Sequence, residues 1–159
     1  MPARRPAYRP VGPVKLGRSA HVLVRSPGDY RDMEERGWHR IEDDGSVRCA
    51  FRVEKKHLNG SGNVHGGCFM AFADYCLFAI AAPVLDGPGV TVSFGCEFLD
   101  AAHAGELVEG TGEITRAGGS MIFLRGLLKS AERPLFTFSG TIKRVKRRTL
   151  PLTRNDASV

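Results

Sequence analysis

The sequence predicts an α+β fold: a curled antiparallel β-sheet wrapped around one long central α-helix. Three observations carry that expectation. A single apolar run, Cys68 to Ala82, has the length of a core helix. Four strand-like segments follow it with no further helix. Turn-forming residues separate those segments. A helix that is apolar on all sides must be covered, and an antiparallel sheet curled around it is the economical cover.

Taken in order, residues 1–27 carry Pro2, Pro6, Pro10, Pro13 and Pro27 among arginines and read as an extended, partly disordered arm. Pro27-Gly28-Asp29 looks like a helix start with Asp29 as its cap, and a short helix follows to about Gly37. Glu42-Asp43-Asp44-Gly45 is a turn. From Val47 to Glu54 the apolar Val47, Cys49, Phe51 and Val53 alternate with Arg48, Arg52 and Glu54, the pattern of a half-buried strand. Asn59 to Gly67 is turn-rich, and the long helix then runs to about Ala82. Asp86-Gly87-Pro88-Gly89 breaks the chain. The four strands are expected at Val90–Leu99, Glu106–Ala117, Met121–Lys129 and Leu135–Lys146. Ala102–Gly105, Ala117–Ser120 and Ser130–Pro134 are the turns between them. Trp38, Phe69, Phe72, Phe94, Phe98, Phe136 and Phe138 are assigned to the core rather than to an acyl-binding box. This gives an arm (1–27), a single domain (28–147) and a tail (148–159).

Composition limits what the chain can do. Its 159 residues suffice for one domain with a core, and 42% hydrophobic with 25% charged residues is ordinary for a soluble protein. The apolar stretch Gly67–Leu85 is long enough to raise a membrane span, but Asp74 at its centre, its opening glycines and Pro83 favour a buried helix. No secretory signal pattern is visible. Cys49, Cys68, Cys76 and Cys96 include no Cys-x-x-Cys pair, so they read as small buried hydrophobes in a cytoplasmic protein, with no metal site. The net charge of +6 is uneven: residues 1–27 and 143–159 hold six Lys/Arg each, while 28–142 carries a net −5. Basic ends suit phosphates or nucleic acid as well as solvent, yet no helix-turn-helix or RNA-binding signature is present.

The chemistry centres on Asp74, the one formally charged residue between Lys56 and Asp86. A carboxylate in apolar surroundings costs several kcal/mol unless paired, hydrogen-bonded or neutralised, which marks it as a functional group. Upstream, Gly66 and Gly67 open the helix. The first amides of a helix are unpaired donors at its positive end, and a glycine lets a ligand approach them closely.

The stretch His57-Leu58-Asn59-Gly60-Ser61-Gly62-Asn63-Val64-His65-Gly66-Gly67, followed by Ala73-Asp74, resembles the hotdog-fold acyl-CoA thioesterases with a His-Gly-Gly signature, the phenylacetyl-CoA thioesterase-like branch. Asn six residues before His, then Gly-Gly, then Asp nine after His is that family's spacing; Pro88–Val92 and Ala104-Gly105-Glu106 also look like its strand start and inter-strand turn. The likeness covers about residues 45–146. It implies hydrolysis of acyl-CoA thioesters without a cofactor, in homodimers that often pair into homotetramers. It further implies Asp74 as general base or nucleophile, the Gly66 N–H as oxyanion donor with Gly67 beside it, and Asn59 as the carboxamide polarising the thioester carbonyl. Asn63 rivals Asn59 for that role on chemistry alone. His65 would hold the loop or cap the helix, and Thr91 would steer the attacking water. Arg116, Gly118, Gly119 and Ser120 would lie along the pantetheine arm, and Arg144, Lys146, Arg147 and Arg148 near the nucleotide phosphates.

One distance follows from residue spacing. Asp74 lies eight residues beyond Gly66, about 12 Å along one helix. A single thioester carbon cannot meet both, so if both act they come from two copies of the chain. The competing expectations are enoyl-CoA hydration or dehydration on the same fold, and a non-catalytic acyl-CoA- or nucleic-acid-binding module.

Overall fold

Alternating strands and one apolar helix occupy residues 38–145, the part of the chain that the computed structural model describes. The arm, the short helix expected at 29–37, Lys146, Arg147, Arg148 and the tail lie outside the described residues. Strand β1 (Trp38–Ile41) and β2 (Val47–Arg52) form a hairpin across the acidic turn, where Gly45 takes a φ of +80°. A 3-10 turn (Lys55–His57) leads to the helix α1 (Gly66–Ala81). Then come β3 (Gly89–Phe98), β4 (Leu107–Ala117), β5 (Met121–Ser130) and β6 (Arg133–Arg144). The strands form one antiparallel sheet of order β1-β2-β4-β5-β6-β3.

The long helix and all five expected strands form, with ends shifted by up to two residues. β1 was not anticipated: four residues are too short to show a period, and it exists because it pairs with β2 from Trp38↔Ala50 to Ile41↔Val47. β6 starts at Arg133, inside the stretch expected to be a turn. Pro134 is accommodated because the β5–β6 register shifts beside it, between Leu128 and Lys129.

Cys68, Phe69, Phe72, Ala73, Cys76, Leu77, Ile80 and Ala81 bury one side of α1 against the sheet. Ile122, Leu128, Phe136, Phe138 and Ile142 meet them there. Glycines in the sheet set the close approach: a Cβ on Gly140 would collide with Leu77 Cδ1, and one on Gly110 would stand 2.5 Å from Cys76 Sγ. The sheet curls around the helix as expected, and within one chain it leaves one stripe of the helix uncovered. Met70 is 42% exposed, and Ala71, Asp74, Tyr75 and Phe78 are only half-buried. This uncovered stripe follows the i, i+4 spacing of a helix face. β3, at one end of the sheet, pairs with β6 alone among the described residues and exposes Val90, Val92 and Phe98. Among the described residues no helix is long and apolar enough to cross a membrane.

Candidate active site

The loop before α1 is built by its own side chains. Asn59 Oδ1 accepts from the Ser61 N–H at 2.9 Å and the Asn63 N–H at 3.2 Å, and the Asn59 N–H donates to Asn63 O at 2.7 Å. The turn therefore uses the oxygen of the Asn59 carboxamide and leaves its NH2 group without a partner among the described residues, at an exposed position. Val64 N–H donates to Ala102 O at 2.8 Å, and His65 N–H to His57 O at 2.8 Å. The strand-connecting segment that supplies Ala102 is fastened by Arg133. Its guanidinium donates to Asp100 Oδ2 at 2.8 Å, Ala101 O at 2.5 Å and Glu106 Oε1 at 2.5 Å.

His65 is the N-cap of α1, in extended backbone geometry (φ −62°, ψ 133°). Its Nδ1 accepts from the Gly67 N–H at 3.0 Å, and its carbonyl accepts from Cys68 N–H at 2.8 Å. Of the first three amides of the helix, only the Gly66 N–H then has no acceptor among the described residues. The cap thus leaves one donor, the Gly66 N–H, without an acceptor among the described residues.

Asp74 lies two turns further along the same helix, on the uncovered stripe. Thr91 Oγ1 donates to Asp74 Oδ1 at 2.7 Å. Burial pushes the Asp74 carboxyl above the ordinary carboxylate range, and the Thr91 hydrogen bond pulls it part of the way back. A β-bulge makes this contact possible. β3 pairs Thr91 with Ile142 and Ser93 with Thr141, leaving Val92 as an extra residue. Thr91 and Phe94 therefore both face the helix although they are three apart, which regular alternation forbids.

At the β4–β5 hairpin a second irregularity, between Ile114 and Arg116, turns Arg116 outward opposite Phe123. Gly118 N–H donates to Met121 O at 2.8 Å and Arg144 N–H to Ser120 O at 2.8 Å. The Arg144 guanidinium, expected near a nucleotide phosphate, donates to the carbonyls of Gly118, of Gly119 at 3.2 Å and of Val84 at 2.9 Å. It braces the hairpin against the segment after α1. The β6 register sets Arg144 opposite Gly89, two residues from Thr91.

The expected site residues thus fall into three groups: Asn59, His65, Gly66 and Gly67 at the helix start; Asp74 with Thr91 near its middle; and Arg116, Gly118, Gly119, Ser120 and Arg144 at the hairpin. Lys146 lies outside the described residues. Sequence reasoning missed the Arg133 brace and the Val92 bulge, and nothing in a strand's composition marks either.

The family model of the thioesterase superfamily matches residues 61–137, which contain the helix start, Asp74 and Thr91. The Pseudomonas aeruginosa protein named Putative esterase PA0474 is 33% identical over 93 residues, 57% of this chain and 69% of that one. This chain belongs to the thioesterase superfamily. Acyl-coenzyme A thioesterase 13 of Homo sapiens is 29% identical over 80 residues, 50% of this chain and 57% of that one. A mutant of the phenylacetic acid degradation protein PaaI of Thermus thermophilus is 25% identical with a TM-score of 0.59, over 63% of this chain and 85% of that one. A hypothetical thioesterase of Streptococcus pneumoniae crystallised with coenzyme A superposes with a TM-score of 0.61 at 24% identity, over 70% of this chain and 88% of that one. The curled antiparallel sheet and single long helix are the hotdog fold of this superfamily.

Proposed function

We propose that this protein hydrolyses acyl-CoA thioesters to free acid and CoA, in a dimer whose two sites each combine Asp74 of one copy with the helix-start amides of the other. Membership of the thioesterase superfamily supports thioester hydrolysis in general. One observation carries the finer reading. The unpaired Gly66 N–H and the Thr91-bound Asp74 share one helix. They are about 12 Å apart along it, and both lie at its uncovered side.

In this reading the thioester carbonyl accepts from the Gly66 N–H, and the NH2 group of Asn59 donates to the same oxygen. The partner's Asp74, its Oδ1 held by Thr91, takes a proton from water through Oδ2 as the water oxygen adds to the carbonyl carbon. The tetrahedral oxyanion is stabilised by the Gly66 amide at the positive end of α1. Its collapse breaks the C–S bond, and the CoA sulfur takes the proton back from Asp74 and leaves as the thiol. Direct attack by Asp74 is the covalent variant, its acyl anhydride then being hydrolysed. Neither route asks for a metal or redox cofactor. Arg116 with Gly118, Gly119 and Ser120 is assigned to the pantetheine arm, and Lys146, outside the described residues, is assigned to the nucleotide phosphates. Arg144 braces the hairpin through the Gly119 and Val84 carbonyls and keeps N–H donors for a nucleotide phosphate. The free cysteines Cys49, Cys68, Cys76 and Cys96 suit a cytoplasmic setting.

Purified protein incubated with aryl, medium-chain and long-chain acyl-CoAs should release CoA detectable with a thiol-trapping reagent. Silence across the whole panel would remove this reading. Thr91→Val should keep the shape of the side chain but lose its hydrogen bond to Asp74 Oδ1. That bond favours the ionised carboxylate, so its loss raises the Asp74 pKa further. The acidic limb of the kcat/KM profile should then move to higher pH. An unchanged limb would show that Asp74 is not the titrating base.

A further inference from the structure

Phe98, the last residue of β3, is 56% exposed, yet its ring is held in place. It meets the fully buried Phe136 edge to face, with centroids 4.9 Å apart. It also lies against the start of α1. A Cβ on Gly66 would stand 2.9 Å from Phe98 Cε1 and 3.2 Å from Cζ. The residue that offers the unpaired amide is therefore flanked by an aromatic ring that one chain alone leaves half open. Met70, 42% exposed, lies one helical turn further along the same face.

We propose that Phe98 is the apolar wall of the oxyanion pocket, keeping water from the Gly66 N–H and packing on the acyl carbons beside the thioester carbonyl. The proposal rests on the acyl-CoA hydrolase reading and deepens it, by naming the residue that meets the acyl side. A donor acts more strongly on a developing oxyanion where water is excluded. The absence of a Cβ at Gly66 brings ring and amide close together. Phe98 is a core residue only through its contact with Phe136; its other side belongs to the site.

The test is steady-state hydrolysis of a medium-chain acyl-CoA by wild type, Phe98→Ala, Phe98→Tyr, Gly66→Ala and the Phe98→Ala/Gly66→Ala pair, with size-exclusion chromatography of each. Phe98→Ala should lower kcat by about tenfold as a dimer. Phe98→Tyr, which keeps the ring, should recover most of that loss. Gly66→Ala should be slow because its new Cβ displaces the ring, and should add little further loss once the ring is gone. Wild-type kcat in Phe98→Ala, losses that simply add in the pair, or a Phe98→Ala protein that no longer dimerises would each overturn the proposal. Asp74-dependent hydrolysis by wild type, measured alongside, separates these failures from failure of the hydrolase reading, since a wild type that releases no CoA removes both.

Discussion

Asp74→Asn should lower kcat for acyl-CoA hydrolysis by about 10²- to 10⁴-fold, the range that a positioned general base supplies. The amide keeps the shape and can still accept from Thr91 Oγ1, so the fold has no reason to change. What it lacks is the lone pair that takes the proton. The same substitution should raise the melting temperature at neutral pH. Burial, the larger influence, lifts the folded-state pKa of Asp74 above its unfolded value, and the Thr91 hydrogen bond lowers it only in part. The folded chain then binds this proton more tightly than the unfolded chain. Stability is lost as pH rises from the unfolded pKa through the folded one. Asn carries no such cost, so its advantage should be present at neutral pH and vanish in acid, below the ordinary carboxylate range. Thermal melts of both proteins across pH check the sign. An active Asn variant, or one less stable than wild type at neutral pH, would contradict the assignment.

Gly66→Pro should lower kcat by about 10²- to 10³-fold, the effect of removing one oxyanion donor. The position suits the change unusually well. Gly66 is the first residue of α1, where proline is favoured because the N–H has no intrahelical partner. His65, which precedes it, already has the extended backbone that a following proline requires (φ −62°, ψ 133°). Gly66→Ala is the control, since it adds the same Cβ beside Phe98 but keeps the N–H. The difference in kcat between the Pro and Ala variants measures the amide alone. Equal kcat in the two would assign the oxyanion to another donor.

The fold was legible because its two signals are strong: an apolar run of helical length, and strands separated by turn residues. β1 was not, since its reason to exist is a partner strand rather than a pattern of its own. At the site, the spacing of Asn59, His65, Gly66 and Asp74 could be read directly, because a helix turns residue number into distance. Thr91 could be matched by resemblance, but its contact with Asp74 depends on the bulge at Val92, a register irregularity without a sequence mark. His65 was readable only as cap or loop anchor; its bond to the Gly67 N–H makes it the cap and decides which amide stays free. Arg144 shows the opposite limit. A basic strand end reads as a phosphate contact, and the sequence does not show that the guanidinium also braces backbone carbonyls of the hairpin. Phe98 looked like core and is so on one side only.

The proposed sharing of each site between two copies is tested most directly by a mixed dimer. Asp74→Asn and Gly66→Pro chains with different affinity tags are co-expressed, and the dimer carrying both tags is isolated. Such a dimer has one site built from an intact Asp74 and an intact Gly66, and one site lacking both, so it should show about half the wild-type kcat per dimer although each parent is nearly inactive. If Asp74 and Gly66 of the same chain served one site, every site in the mixed dimer would be damaged, and its activity would stay at the level of the parents.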